Sequence, residues 1–142
     1  STKLNSNFMI DYSLTKGEYA FEDFSNGEID YSNNSIAGIP NNFHKLNLKY
    51  FIDNLNVIIS WKNVGKIYAN NSNTTFIEGY DSINFNLSCD VALFGLDITP
   101  YFAIENLLSE DYIDNIRINA FGSRFYEPAP KISFMSGLKL NL

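Results

Sequence analysis

Apolar and polar residues alternate along much of this chain, most clearly in its last stretch. From Ile132 to Leu142 every even-numbered position except Ser136 is apolar, while the odd-numbered positions are mostly polar or small. A period of two places successive side chains on opposite faces of a β-strand. The pattern recurs upstream and predicts six strands, over residues 3–16, 43–52, 55–64, 80–91, 96–106 and 132–142. Only residues 111–116 have a spacing that allows a turn of helix.

The links between the predicted strands alternate between long and short. Asp53-Asn54 and residues 92–95 form short turns, whereas residues 17–42, 65–79 and 107–131 form long loops. Consecutive strands joined by such turns pair antiparallel. The chain therefore predicts an all-β, up-and-down antiparallel sheet with its long loops at one end.

One face of the predicted sheet is apolar, and almost all the charged strand residues fall on the opposite face. Two structures fit this pattern. A soluble barrel or sandwich would bury the apolar face and could bind a small apolar ligand. A transmembrane β-barrel would turn that face to lipid. Strands of about ten residues, loops of unequal length at the two ends, and Trp61 and Tyr50 near the edges of the apolar band favour the membrane.

Composition narrows the function further. The 142 residues carry a net charge of −6 with no basic stripe, which argues against a nucleic-acid partner. A single Cys and a single His leave no cysteine-based zinc site and no histidine cluster. No catalytic constellation or cofactor motif is present, so we expect neither an enzyme nor a cofactor. Residues 17–44 carry five acidic residues and no Lys or Arg, which predicts a solvated acidic loop or, alternatively, a site for a cation.

Three segments resemble the C-terminal part of TonB-dependent outer-membrane receptors. The first is Gly-Ile-Pro-Asn-Asn-Phe-His-Lys-Leu-Asn-Leu at residues 38–48, similar to the start of a descending strand in that family. The second, at residues 101–112, resembles the family's Val-Glu-Asn-Leu-Phe-Asp-x-x-Tyr through Glu105, Asn106, Leu107 and Tyr112. The third, at residues 119–130, resembles Gly-Arg-x-Tyr-x-Pro-x-Pro through Arg124, Tyr126, Pro128 and Pro130. This chain ends in Leu142 where the family usually has an aromatic residue.

The resemblance implies that residues 1–142 are the C-terminal portion of the barrel domain, without its plug domain. They would form about six strands of a barrel of about 22 strands in the outer membrane of a Gram-negative bacterium. The implied partners are outer-membrane lipid, the remainder of the barrel and plug, the TonB complex, and a small-molecule or metal-chelate ligand. The implied function is active uptake of a scarce nutrient such as an iron–siderophore complex. A non-transporting outer-membrane structural protein is the further alternative.

The motif residues are expected to be structural, and the sequence names no ligand-binding residue. Glu105 lies on the polar face, where it could contact the plug or organise the end of its strand through a hydrogen bond. Arg124, with Tyr126 and Glu127, is expected to order the last long loop through an Arg–carboxylate pair. Pro128 and Pro130 would stiffen the return of that loop.

Overall fold

The structure is a computed structural model that describes residues 2–3, 7–123 and 126–141. These residues form short and long β-strands and one 3-10 helix, Phe121–Ser123, with no α-helix among them. The strands are β1 (Thr2–Lys3), β2 (Phe8–Lys16), β3 (Ser25–Asn26), β4 (Ile29–Asp30), β5 (Asn42–Ile52), β6 (Leu55–Val64), β7 (Ile67–Tyr68), β8 (Phe76–Ile77), β9 (Tyr80–Cys89), β10 (Val91–Leu93), β11 (Leu96–Glu105), β12 (Ile113–Ile116), β13 (Tyr126–Pro128) and β14 (Ser133–Asn141).

One antiparallel sheet contains all the long strands. Its order is β1-β2-β5-β6-β9-β11, and both β10 and β14 pair with β11. Sequence neighbours therefore lie side by side, so the prediction of an all-β, up-and-down antiparallel sheet is confirmed. The first predicted strand begins at Phe8 in the structure, and residues 4–6 of that prediction lie outside the described residues. Thr2 and Lys3 pair antiparallel with Ile10 and Met9. This pairing covers part of the backbone that the edge of β2 would otherwise leave open.

The register keeps the apolar positions of neighbouring strands on one face. A single row crosses the sheet through Ile10, Leu48, Ile59, Phe85, Ile104 and Phe134. No second layer of described residues covers this face: Phe134 and Leu138 remain 65% and 70% exposed. The buried apolar side chains lie elsewhere, mainly toward the long loops, at Ala37, Val64, Ala69, Ile77 and Ala103.

The short turns need backbone in the left-handed region. Asp53 has φ of 47°, and Phe94 and Gly95 have φ of 55° and 79°. The turn predicted at residues 92–95 is tighter in the structure, because Ala92 and Leu93 continue the ladder in β10. The pairing of β9 and β10 with β11 is interrupted opposite Pro100, which has no N–H to donate.

Each long loop contains a small hairpin of its own. β3 and β4 pair in the first loop (residues 17–41), β7 and β8 in the second (65–79), and β12 and β13 in the third (106–132). The turn of helix allowed at residues 111–116 is wrong, because Ile113 and Ile116 pair across β12 with Pro128 and Tyr126. Among the described residues, no helix has the length and apolar character needed to cross a membrane.

Candidate functional site

Asn106 organises the point where β11 enters the third loop. Its side chain is 2% exposed, and its backbone adopts a left-handed φ of 51°. Asn106 Nδ2 donates to the carbonyls of Glu110 (2.9 Å) and Pro130 (3.1 Å), and its Oδ1 accepts from the Glu110 N–H (3.0 Å). The Asn106 N–H donates to Asn84 Oδ1 on the neighbouring strand β9. This one side chain therefore joins the two ends of the third loop.

Glu105 and Leu107 flank Asn106 in the sequence and differ from each other in their hydrogen bonds. Glu105 is exposed on the polar face. No hydrogen bond to its carboxylate comes from another described residue, and its expected role at the end of the strand stays a prediction. The Asn106 amide both donates and accepts at this point. Leu107 is 41% exposed, and its N–H donates to the Ile83 carbonyl at 2.7 Å.

Tyr112 joins an aromatic and cationic cluster on the polar face. Its ring stacks on Tyr80 with centroids 4.1 Å apart. Lys62 Nζ lies 5.1 Å from the Tyr80 centroid and 5.6 Å from that of Tyr112, within the range of a cation–π interaction. Burial raises the pKa of the Tyr112 hydroxyl, and Lys62 partly opposes that shift. The cluster attaches the third loop to strands β6 and β9.

An Arg–carboxylate pair orders the third loop, but its arginine is Arg117. Arg117 donates to Glu127 Oε1 from Nε (2.8 Å) and from its terminal guanidinium nitrogen (2.5 Å), while Asn115 Nδ2 donates to Oε2 (2.9 Å). These hydrogen bonds, Asn115 first, hold the pKa of Glu127 below its usual range. Arg124, the arginine expected from the sequence, lies outside the described residues. The pairing of β12 with β13 brings Arg117 to Glu127, and no local sequence motif signals it.

The remaining motif residues lie at the return of the third loop. The Tyr126 hydroxyl donates to the Phe76 carbonyl in the second loop at 3.2 Å. Pro128 pairs with Ile113 in the β12–β13 ladder, and the Pro130 carbonyl accepts from Asn106. The Tyr-x-Pro-x-Pro run of the third loop therefore contacts the second loop, the strand β12 and the residue that follows β11.

Asparagine side chains connect the three long loops. Asn73 accepts from the Ser35 N–H at 2.7 Å and donates to the Ser35 carbonyl at 2.8 Å, which joins the second loop to the first. Asn119 Oδ1 accepts from the Asn71 N–H, and the Asn119 N–H donates to the Ala69 carbonyl, which joins the third loop to the second. Asn73 and Asn119 both have positive φ, which asparagine tolerates better than most residues. The sequence shows that Asn is abundant but does not show these pairings.

A cavity of about 290 Å³ lies between the first two loops. Its lining includes Glu18, Tyr19 and Pro40 from the first loop and Lys66 and Tyr68 from the second. The Lys66 ammonium lies over the Phe76 ring at 3.6 Å and near the Tyr68 ring at 4.7 Å. The cavity therefore combines aromatic surface with one cation and one carboxylate at the end of the sheet that carries the long loops.

The acidic residues of the first loop are all exposed, as in a solvated loop. The Asp30 carboxylate accepts from Ser32, and this bond lowers its pKa. Within residues 2–3, 7–123 and 126–141, no three His, Cys, Asp or Glu side chains come together in a way that could hold a metal ion.

Polar and aromatic groups lie along the margin of the apolar face, on the side of the long loops. The Tyr12 hydroxyl and His44 Nδ1 are hydrogen-bonded at 2.7 Å, and the His44 ring lies 6.2 Å from that of Trp61. Trp61 Nε1 donates to Asp81 at 2.8 Å. A side chain with an apolar ring and one hydrogen-bonded polar atom suits the boundary between an apolar phase and water.

No family model matches this chain, and no curated protein matches it. Solved structures do match. The siderophore receptor PiuA from Acinetobacter baumannii aligns with 96% of the chain at a TM-score of 0.74 and 16% identity. BauA, the ferric preacinetobactin receptor of the same species, aligns with 95% at a TM-score of 0.74 and 14% identity. The ferric-catecholate import receptor Fiu from Escherichia coli K12 aligns with 95% at a TM-score of 0.70 and 17% identity. This chain has the fold of part of a siderophore receptor.

The likeness confirms, at the level of the fold, the resemblance to TonB-dependent receptors and the prediction of a segment of a larger barrel. The chain spans about a fifth of the length of each of these receptors. The shared part includes the sheet and the long loops, since the alignments cover nearly the whole chain.

Proposed function

We propose that this chain forms part of the wall and outer loops of a TonB-dependent transporter in the outer membrane of a Gram-negative bacterium. The transporter would import a scarce nutrient such as an iron–siderophore complex, as the names of the similar receptors suggest. The observation that carries the proposal is the apolar face, which runs unbroken across the sheet and which no described residue covers. Lipid is the solvent that such a face suits.

The two faces of the sheet suit different surroundings. On β5 and β6 the apolar row at Leu48 and Ile59 alternates with a polar row in which the Ser60 hydroxyl donates to Asn47. In a barrel wall the first row would contact hydrocarbon and the second the aqueous interior. The Tyr12, His44 and Trp61 rings would then lie at the outer interface, on the side of the long loops.

The barrel must be completed by strands beyond this sheet. An open sheet edge in hydrocarbon leaves backbone N–H and C=O groups unpaired, at several kcal/mol each. We propose that residues 1–142 are the C-terminal portion of a barrel of about 22 strands, whose other strands and plug belong to the rest of the protein. The wall itself is passive, and coupling to TonB would act through the plug.

The three long loops form one hydrogen-bonded unit at the outer end, and we propose that they contribute to ligand capture. The cavity beside Lys66 and Tyr68 offers aromatic surface and a cation there. A preassembled set of loops loses less conformational entropy on binding than three independent loops would.

A soluble sandwich that binds an apolar ligand is the alternative from another class of protein. Such a protein must bury its apolar face with its own residues. The long strands form a single sheet, and no second layer of described residues covers its apolar face, which argues against this alternative.

A matched pair of neighbouring residues tests the membrane assignment. In the complete polypeptide that carries this chain, with Cys89 replaced by serine, a nitroxide spin label is attached to Ile59→Cys or to Ser60→Cys. We expect the label at 59 to collide mainly with dissolved oxygen, which concentrates in lipid, and the label at 60 mainly with a water-soluble nickel chelate. Equal accessibilities at the two positions, or the reverse order, would refute a lipid-facing sheet.

Uptake separates a transporter from a non-transporting outer-membrane protein. Deletion of the reading frame should abolish the import of at least one ferric chelate by iron-starved cells, and the restored gene should recover it. A deletion strain that imports every chelate of a broad panel at the parental rate would favour a structural role.

A further inference from the structure

Two lysines face each other on the polar side of the sheet. Lys45 on β5 is the direct cross-strand partner of Lys62 on β6. Their outer neighbours in the same row are Ser13 on β2 and Ser82 on β9, neither of which carries charge. Like charges directly opposite each other on adjacent strands destabilise the sheet. The fold therefore contains a local repulsion that nothing in its own row relieves.

No carboxylate among the described residues neutralises this pair. Asp11, in the neighbouring row, is held by Lys49 at 2.6 Å. Glu105 and Asp114 act electrostatically on Tyr112, but neither forms an ion pair with Lys62 in the described part of the chain.

The two lysines differ in their other contacts. Lys62 rests against the Tyr80 and Tyr112 rings, which favours a cation but leaves its charge in place. Lys45 is exposed, and no ion pair or ring contact of its ammonium occurs among the described residues. Lys45 is thus the lysine whose removal reports most directly on the repulsion.

We propose that Lys45 and Lys62 together dock a carboxylate carried by an acidic segment of the same polypeptide that lies inside the barrel. The inference rests on the proposed function, because it requires the polar face to line a barrel interior. The charge of the site selects an anion. The repulsion exists in every molecule at all times, so a permanently attached partner relieves it continuously, whereas a transported ligand would relieve it only while bound. The solved structures of this fold are about five times longer than this chain, which leaves ample polypeptide to supply that segment.

Zero-length cross-linking identifies the partner directly. A water-soluble carbodiimide joins an ammonium to a carboxylate only when the two are in contact. Applied to the complete protein in outer-membrane vesicles, it should join Lys45 or Lys62 to an acidic peptide from outside residues 1–142, as read by mass spectrometry. The cross-link to each lysine should disappear in the variant that lacks it, Lys45→Met or Lys62→Met. A cross-link to Glu105 or Asp114 instead would overturn the proposal, because the pair would then be satisfied within this chain.

The sign of a stability change gives an independent test. If a carboxylate is docked, Lys45→Met lowers the thermal midpoint of the complete protein. Lys49→Met, which removes the ion pair with Asp11, serves as the comparison and should also lower it. Lys45→Arg, which keeps the charge, should have a thermal midpoint close to that of the parent. A midpoint raised by Lys45→Met would overturn the proposal, since it would show that the repulsion is unrelieved.

Two further outcomes complete the test. In the first, added citrate stabilises the parent but not Lys45→Met, and no cross-link forms. The site would then bind a free anion, and the proposal of an attached carboxylate would be wrong. Failure of the proposed function is read separately, in the spin-label and uptake experiments. If those succeed while the cross-link and the stability loss are absent, only the docking site is wrong.

Discussion

Replacement of Asn106 by alanine should loosen the third long loop without disturbing the sheet. The change removes the three hydrogen bonds that join the Asn106 amide to Glu110 and Pro130. At about 1 kcal/mol for each net hydrogen bond, the loss is about 3 kcal/mol. Alanine also tolerates the left-handed φ of 51° poorly, which adds about 1 kcal/mol. The side chain is almost fully buried, so water cannot readily replace the lost partners.

Amide hydrogen exchange of the complete protein in detergent is the suitable assay, because it reports on the loop and the sheet separately. For Asn106→Ala the two contributions together are about 4 kcal/mol, which corresponds to nearly a thousandfold faster exchange of the Glu110 N–H. The hydrogen bonds alone, at about 3 kcal/mol, correspond to roughly a hundredfold. Asn106→Gly separates the two contributions: it loses the same hydrogen bonds but accepts the left-handed backbone. The N–H groups in the middle of β6, such as that of Ile59, should exchange at the parental rate in both variants. Parental exchange at Glu110 in Asn106→Ala would refute the role assigned to this side chain.

Two further changes probe the third loop and the last strand. Asn115 and Arg117 lower the pKa of Glu127 from its ordinary value of 4.5, so the folded loop favours the ionised carboxylate. The stability that this pair of contacts gives the loop is fully present at pH values above the ordinary pKa. It is lost as the pH falls through the lower pKa of the folded state. The protection factors of the β12–β13 amides, which are corrected for the intrinsic pH dependence of exchange, should therefore fall on acidification in the parent. In Glu127→Gln, whose loop is already loosened, the same protection factors should depend little on pH. Gly137→Val should displace the Tyr101 ring, because a Cβ on Gly137 would lie 2.5 Å from the Tyr101 hydroxyl; the thermal midpoint should fall, and Gly137→Val with Tyr101→Ala should recover part of the loss. A midpoint unchanged in the single variant would contradict that close approach.

The strands were readable from the sequence because alternation is a local property of the chain. The pattern at residues 55–64 and 96–106 gave strands within a residue of β6 and β11. Short β-ladders are different: residues 111–116 show a helix-compatible spacing, yet Ile113–Ile116 becomes strand β12 because the distant β13 supplies its hydrogen-bond partners. Tertiary context overrides weak local preference in such short segments.

The candidate site was only partly readable. The Glu-Asn-Leu and Tyr-x-Pro-x-Pro runs both lie at the end of the sheet that carries the long loops. The roles within it depend on contacts between residues far apart in the chain. Glu127 binds Arg117, and Asn73 binds Ser35, and no spacing in the sequence indicates either pair.

The sequence by itself determined that this protein is an antiparallel sheet with one apolar face that carries almost no charge, because side-chain alternation and turn chemistry act between near neighbours. Only the tertiary structure decided that this face is continuous and uncovered, since both properties depend on the register between strands. It also decided that Lys45 lies opposite Lys62, a pairing set by the Asp53-Asn54 turn and the length of the strands it joins. The terminal alternation from Ile132 onward becomes the apolar face of β14, where Phe134 and Leu138 extend the same apolar surface.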